Sequence, residues 1–424
     1  MPLSIEHLIV ILFTILTFTI ILMVVVFIHE LGHFLVARKN GVLVEEFGIG
    51  MPPRAIGVQR VHSKWHLIKS GQPPVDPTKT IYSLNWLPLG GFVKLYGDGS
   101  GGEGGEVNPQ YQSLALGSAP VWGRLAIMVA GVFMNVLLAI VIYYTLLVTR
   151  GFVSDRLPLL DDVSFRFGKQ VDSVGVVSIR AGSPAEKAGI PAESLIHNIR
   201  PVTVCPIKTI CKESAWQKIS KTTDLIDMVM KNGGKPVEIE LQKNVLNPEL
   251  MRITVTPEYN AQEKRAMIGV QLMKYVSFDY SKTITDKLFS GPMHAYNLMS
   301  YNLQIQRIIF AASIKAGDPR IAGEAMGGPV AIARVVGDTV NRSGSDMVRN
   351  LLSLTALISL SLAFMNILPI PALDGGRVLL LIPEMLTGRK INKKFESYIN
   401  IGGFVFLIAL SVIITFKDVW NLFR

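Results

Sequence analysis

The sequence predicts an α-helical polytopic membrane protein of about four spans, with a small soluble β-rich domain inserted between the second and third. Three observations carry that expectation. Hydrophobic residues make up 49% of the 424 positions and charged residues only 17%, a balance typical of membrane proteins. The apolar residues gather into four blocks without Asp, Glu, Lys or Arg: Leu8 to Ile28, Leu125 to Val148, Leu351 to Leu368 and Ile399 to Phe416. Between the second and third blocks the pattern changes to short β-rich runs punctuated by Gly and Pro. A helix of about 20 residues crosses the hydrocarbon core, so each block is long enough for one span.

The first block reads as a retained span. Met1 to His7 contains no Lys or Arg, and no small-residue cleavage site follows the apolar run. The net charge is +10, from 42 basic and 32 acidic residues, and the position of the basic residues gives it meaning. Arg38, Lys39, Arg54, Arg60, Lys64, Lys69, Lys79, Lys94 and Arg124 lie between the first two blocks, and Arg377, Arg389, Lys390, Lys393 and Lys394 between the last two. The positive-inside rule makes both loops cytoplasmic and exports the long stretch from Thr149 to Asn350. No basic patch interleaved with aromatics accompanies the charge, so nucleic acid is not an expected partner. Cys205 and Cys211 fall in the exported stretch, where a disulfide is chemically open to them. Two cysteines are too few for a cysteine zinc site.

Taken in order, the expected organisation is residues 1–40 as the first helix, 41–120 as a cytoplasmic loop and 121–149 as the second helix. A β/α domain over 150–277, extracytoplasmic amphipathic helices over 278–350 and the last two spans over 351–424 complete it. Val174 to Arg180, Pro236 to Leu241 and Met251 to Pro257 are the clearest strands of the inserted domain. In 278–350 the apolar residues recur at helical spacing, but Gln304, Gln306 and Arg307 interrupt the face, which favours helices on the membrane surface over another span. In the first loop, Thr80 to Tyr96 flanks Pro88 and Gly90-Gly91 with alternating apolar residues, as a hairpin would.

The motif that carries chemistry is His29-Glu30-Leu31-Gly32-His33 at the end of the first block. Residues four apart share a helix face, so both imidazoles can reach one metal while Glu30 stands beside it, the pattern of zinc peptidases. A central acidic residue in a span costs about 2.5 to 3.5 kcal/mol on insertion scales, and a metal would offset that cost. The plain alternative is an interfacial cap, with His33 solvated beyond it. Two histidines need a third ligand and an open position. The best-placed partner is Asp374, in Asn366-Ile367-Leu368-Pro369-Ile370-Pro371-Ala372-Leu373-Asp374-Gly375-Gly376 at the end of the third block, on the same side of the membrane as the histidines. Prolines break the helix there and glycines let the chain turn. The alternative for Asp374 is an ordinary Asp-Gly turn.

Together with Glu46-Phe47-Gly48-Ile49-Gly50, Leu87-Pro88-Leu89-Gly90-Gly91-Phe92-Val93-Lys94, Ala130-Gly131 with Asn135, Gly182-Ser183-Pro184-Ala185 and Gly328-Pro329-Val330, these motifs resemble the site-2 protease family of intramembrane zinc metalloproteases. The resemblance is to the bacterial regulated-proteolysis branch with an extracytoplasmic PDZ domain, and it covers nearly the whole chain. It implies a bacterial inner-membrane peptidase with His29, His33 and Asp374 as zinc ligands, Glu30 as catalytic residue and Asn366 in the active site. It also implies a membrane-associated β-hairpin in which Gly90, Gly91, Phe92 and Val93 hold the unwound substrate as an added strand. Asn135 is either a substrate contact or a helix-packing amide.

The implied substrates are single-span membrane proteins such as anti-sigma factors, or remnant signal peptides, with a prior site-1-type cut as an open requirement. Two other classes compete: a membrane endopeptidase acting on soluble or misfolded proteins, and a non-enzymatic PDZ scaffold. The intact motif disfavours the scaffold. The inserted domain departs from the PDZ pattern after Ile190, where Pro191-Ala192-Glu193-Ser194 replaces the usual Gly-Asp turn and an insertion follows over Val202 to Lys221.

Overall fold

The computed structural model describes residues 5–98, 108–159, 163–202, 214–244, 247–261, 263–318, 320, 323, 327–342, 344–389 and 392–422. Cys205, Cys211 and most of the glycine-rich stretch Gly97 to Gly105 lie outside the described residues. In chain order the elements are α1 (Ile5–Lys39), β1 (Val44–Val61), β2 (Lys64–Lys69), β3 (Ile81–Leu95) and α2 (Val121–Thr149). Then come β4 (Leu157–Leu159), β5 (Lys169–Ile179), α3 (Pro184–Lys187), β6 (Leu195–Pro201), β7 (Gln217–Lys218), α4 (Thr222–Lys231), β8 (Val237–Asn244) and β9 (Asn247–Val255). The chain continues through β10 (Glu258–Asn260), β11 (Arg265–Met267), β12 (Val270–Asp279), α5 (Ile284–Leu288), α6 (Ser290–Ala316) and α7 (Pro329–Arg342). It closes with α8 (Met347–Ile367), α9 (Asp374–Thr387) and α10 (Lys393–Leu422).

Among the described residues, four helices are long and apolar enough to cross a membrane: Leu8–Lys39, Val121–Thr149, Met347–Ile367 and Phe395–Trp420. Each contains one of the four charge-free blocks, apart from Leu368, which caps its helix. The chain divides into two compact units, one formed by Met1–Leu146 with Leu298–Arg424, the other by Leu147–Asn297.

In the first unit, α1 runs unbroken to Asn40, whose Nδ2 donates to the Val36 carbonyl at 2.9 Å, and Gly41 leaves the helix at φ +74°. A Cβ on Gly32 would lie 2.4 Å from the Ala130 carbonyl oxygen, so α1 and α2 cross with their backbones in contact. Phe34, Ala37, Phe47, Leu95, Ile127 and Met128 form a buried cluster that ties α1 and α2 to the first sheet, with Phe34 stacked on Phe47 at 4.6 Å between centroids.

That sheet differs from a simple hairpin at Pro88. Both long strands bend, β1 at Gly50–Arg54 and β3 at Trp86–Gly90, and their arms interleave. The outer arm of β3 pairs with the first arm of β1 (Gly48 opposite Phe92), which also lies beside the inner arm of β3 (Gly48 opposite Ser83). The inner arm of β3 then pairs with the second arm of β1 (Gly57 opposite Ser83), and β2 completes the sheet. Each β3 arm is thus paired to β1. The two bends carry exposed Met51, Trp86, Leu87 and Leu89.

The second unit is a sheet ordered β4-β12-β5-β6-β8-β9, with β7 beside β6. Its core of Val174, Val176, Ile199, Leu225, Val237, Ile239 and Leu241 is an ordinary apolar interior. Alternation along the strands and α4 laid over one face produce it. Ser183 caps α3 by accepting from the Glu186 amide. The turn where Pro191-Ala192-Glu193-Ser194 departs from the usual pattern is still made: Glu193 adopts φ +61°, and Val176 exchanges hydrogen bonds of 2.8 Å with Glu193 and Ser194. A cavity of 310 Å³ lies between α4 and the β11–β12 segment, lined by Leu225, Val229, Ile268 and Leu272. The unit extends through α5 into α6 because Tyr280, His294 and Asn297 are buried together: Asn297 Nδ2 donates to the Tyr280 hydroxyl at 3.2 Å and to the Phe167 carbonyl at 2.8 Å.

Candidate metal centre

All candidate site residues of the motifs lie in the first unit, on α1, β3, α2, α8 and α9. His29 and His33 are both buried on one face of α1. Their Nε2 atoms are 3.1 Å apart, and Asp374 Oδ2 lies 3.0 Å from that of His29 and 3.4 Å from that of His33. These three donors form a cluster of metal-ligating atoms. Zinc bonds of about 2.0–2.1 Å in a tetrahedral site put ligand atoms about 3.3 Å apart, so this triangle fits one zinc ion with a position left open. Without a cation, Asp374 Oδ2 is buried and lacks a hydrogen-bond partner, an arrangement that a metal resolves.

The local sequence explains how such a triangle forms. α8 ends at Leu368 because Pro369 follows and holds it extended (φ −62°, ψ +143°). The chain then turns through Ala372, at φ +73°, into the first turn of α9, where Asp374 is the first helical residue. A Cβ on Gly375 would lie 2.3 Å from the Ile367 and Leu368 carbonyl oxygens, and one on Gly376 2.2 Å from that of Ile370. The two glycines therefore let α9 begin directly against the end of α8. Two ion pairs hold α9 in place: Arg377 with Asp98 at 3.2 Å, and Arg124 with Glu384.

The histidines are set from α2. His33 Nδ1 is 2.7 Å from the Ile127 carbonyl oxygen, which accepts its proton and leaves Nε2 for a metal. On Gly131 a Cβ would stand 2.5 Å from His33 Nε2 and 2.6 Å from His29 Nε2, so only a glycine admits both rings here. Asn135, one turn on, is fully buried, with Nδ2 3.4 Å from His29 Nδ1. Asn366 Nδ2 lies 3.5 Å from His29 Nε2, at the rim of the donor triangle. Glu30 is half-buried and within electrostatic reach of His29, His33, Asp374 and Arg377.

The model of peptidase family M50 matches residues 17–70 and 75–410, nearly the whole chain. The chain belongs to peptidase family M50. A Clostridium acetobutylicum protein named as a candidate zinc metalloprotease is 30% identical over 93% of this chain and 94% of its own length. The regulator of sigma-W protease RasP of Bacillus subtilis is 25% identical over 97% of this chain and 99% of its own. Like the rest of the M50 (site-2 protease) family, this protein is a zinc-dependent metalloendopeptidase, and its four apolar helices together with its bacterial relatives mark it as a bacterial membrane protein.

Among the motif residues, the structure brings His29, Glu30, His33, Asn135, Asn366 and Asp374 together. Gly90 and Gly91 stand next to them in space: a Cβ on Gly90 would lie 2.7 Å from Val26, and one on Gly91 3.5 Å from the Cα of Phe27, just ahead of His29 on α1. Phe92 and Val93 continue that arm of β3. The Ile127 carbonyl is a backbone group with no side-chain signature in the sequence, and Arg124 and Arg377, which fix α9, stand in the sequence only as loop cations that mark topology.

Proposed function

We propose that this M50 peptidase cuts within or near transmembrane segments, at a zinc site made of His29 Nε2, His33 Nε2 and Asp374 Oδ2. The single observation that carries the reading is the triangle of three buried donors with edges of 3.0 to 3.4 Å. At about 1.5 Å per residue, His33 and His29 lie roughly 8 and 14 Å along α1 before Arg38, which puts the chemistry below the membrane surface.

A zinc ion held there supplies Lewis acidity to the scissile carbonyl and acidifies the attacking water. Glu30 takes the proton from that water and returns it to the leaving amine. The Asn366 amide donates to the oxygen that becomes negative as water adds. A helical substrate must unwind before its carbonyls are reachable, and the outer arm of β3, with Gly90, Gly91, Phe92 and Val93 beside α1, offers its edge to the extended segment. The substrates are single-span proteins such as anti-sigma factors, or remnant signal peptides. The site faces the cytoplasm of the inner membrane. The PDZ-like second unit is extracytoplasmic and excludes bulky domains by its volume.

Zinc content and cleavage of a tagged single-span reporter in liposomes test this for wild type and Glu30→Gln. The expected outcome is about one zinc per chain in both, with cleavage falling about 10²–10⁴-fold in Glu30→Gln. Wild type without zinc would overturn the ligand set. Cleavage of a soluble peptide in preference to the reporter would overturn the intramembrane substrate.

A further inference from the structure

We infer that Asn135 is a positioning residue for His29: its side-chain Oδ1 accepts the His29 Nδ1 proton and so holds that imidazole in the tautomer that leaves Nε2 for zinc. The inference rests on the ligand set proposed above and adds to it a role for a helix amide read from the sequence as a substrate or packing contact.

If Nε2 of His29 is a metal ligand, the ring proton sits on Nδ1 and needs an acceptor. The group facing it is the Asn135 side chain. Its Nδ2 stands 3.4 Å from Nδ1, so two N–H groups point at each other, while its Oδ1 is buried with no hydrogen-bond partner. Turning the amide by 180° about its terminal torsion answers both problems at once, since an amide is nearly symmetric in shape and opposite in hydrogen-bonding sense at its two ends. His33 already shows the same arrangement, with its Nδ1 against the Ile127 carbonyl at 2.7 Å. The two ligands then have matching support from one helix, a backbone oxygen for one ring and a side-chain oxygen for the other.

Asn135 is well suited to the task. It is fully buried, and its own carbonyl accepts from the Ser359 hydroxyl at 2.9 Å, which fixes this turn of α2 against α8. Gly131, one turn before, makes the space in which the rings sit. A buried amide in a membrane helix is costly when its oxygen has no donor, and the His29 ring supplies one.

The test is zinc affinity, by competition with a chelating dye, and the visible spectrum after cobalt substitution, for full-length wild type, Asn135→Leu, Asn135→Asp and Asn135→Ser in detergent. Leucine keeps the volume and removes the acceptor; aspartate keeps the acceptor; serine is too short to reach Nδ1. Loss of a partner behind a ligating histidine typically weakens metal binding by about 10–100-fold. That loss, with an altered cobalt spectrum, is expected for Asn135→Leu and Asn135→Ser, and Asn135→Asp is expected to bind at least as tightly as wild type. Wild-type affinity in Asn135→Leu, or in Asn135→Ser should the leucine variant not fold, overturns the inference. So does aspartate binding as weakly as serine. Absence of zinc from wild type would instead sink the ligand set itself, so the two failures are told apart.

Discussion

The two units of this protein differ in how much apolar surface they leave exposed. In the second unit the interior is built on Ile199, Val237, Ile239 and Leu241, all at or near zero exposure, with Asn297 and His294 among its buried polar groups. In the spans of the first unit, Ile9, Leu12, Phe404 and Val405 are each about 60% exposed, while the fully enclosed positions include Asn135 and Ser359. Water and lipid explain the difference. Apolar burial drives the second unit to fold, whereas in a bilayer the surroundings are as apolar as leucine, and helices associate through close backbone approach and polar contacts. The glycines at helix crossings and the polar residues inside the bundle are therefore where the first unit concentrates both its packing and its chemistry.

The largest expected effect tests the crossing. Gly131→Val places carbon where the two imidazoles now stand, so zinc content is expected to fall from about one per chain to near zero and reporter cleavage with it. A variant that retains zinc would mean that the helices can separate at no cost and that the first unit is less tightly specified than its glycines imply.

Core truncation separates the units next. Ile239→Ala in the second unit is expected to destabilise it by about 2–5 kcal/mol. Phe404→Ala on the outer face of α10 is expected to change stability by no more than about 0.5 kcal/mol. Urea unfolding followed by the fluorescence of Trp216, which stacks against Arg200 at 4.4 Å, reads the former. Equal effects would erase the distinction.

A smaller effect comes from one buried polar group of the second unit. Burial lowers His294 from its usual 6.5 to about 4, so the folded unit keeps this ring neutral where the unfolded chain would protonate it. Its contribution is complete above about pH 6.5 and drains away as the pH falls towards 4, amounting to about 3 kcal/mol when fully lost. Urea midpoints of wild type and His294→Phe measured from pH 7.5 to 4 are expected to run parallel above 6.5 and converge below it. A constant offset over the whole range would show that the ring takes up its proton without leaving the interior.

What could be read from the sequence follows the same division. The four spans were legible because lipid demands long charge-free runs, and His29 with His33 because four residues make one helical face. Asp374 was legible from the prolines and glycines around it, which have no use in an uninterrupted helix. The interleaving of β1 and β3 was not, since pairing each arm with a distant partner depends on where both strands bend, and local alternation at Thr80 to Tyr96 is the same in a plain hairpin. Nor could a sequence reveal that the Ile127 carbonyl supports His33, or that Gly375 and Gly376 bring two helix ends into contact. Those are properties of three-dimensional proximity.

The donors of the proposed zinc site come from opposite ends of the chain, His29 and His33 from α1 and Asp374 from the start of α9. In chain order α1 precedes Asp374 by more than three hundred residues. A fragment that lacks either α1 or the start of α9 therefore holds at most two of the three proposed donors. The proposed centre is a property of the folded whole that no single segment carries.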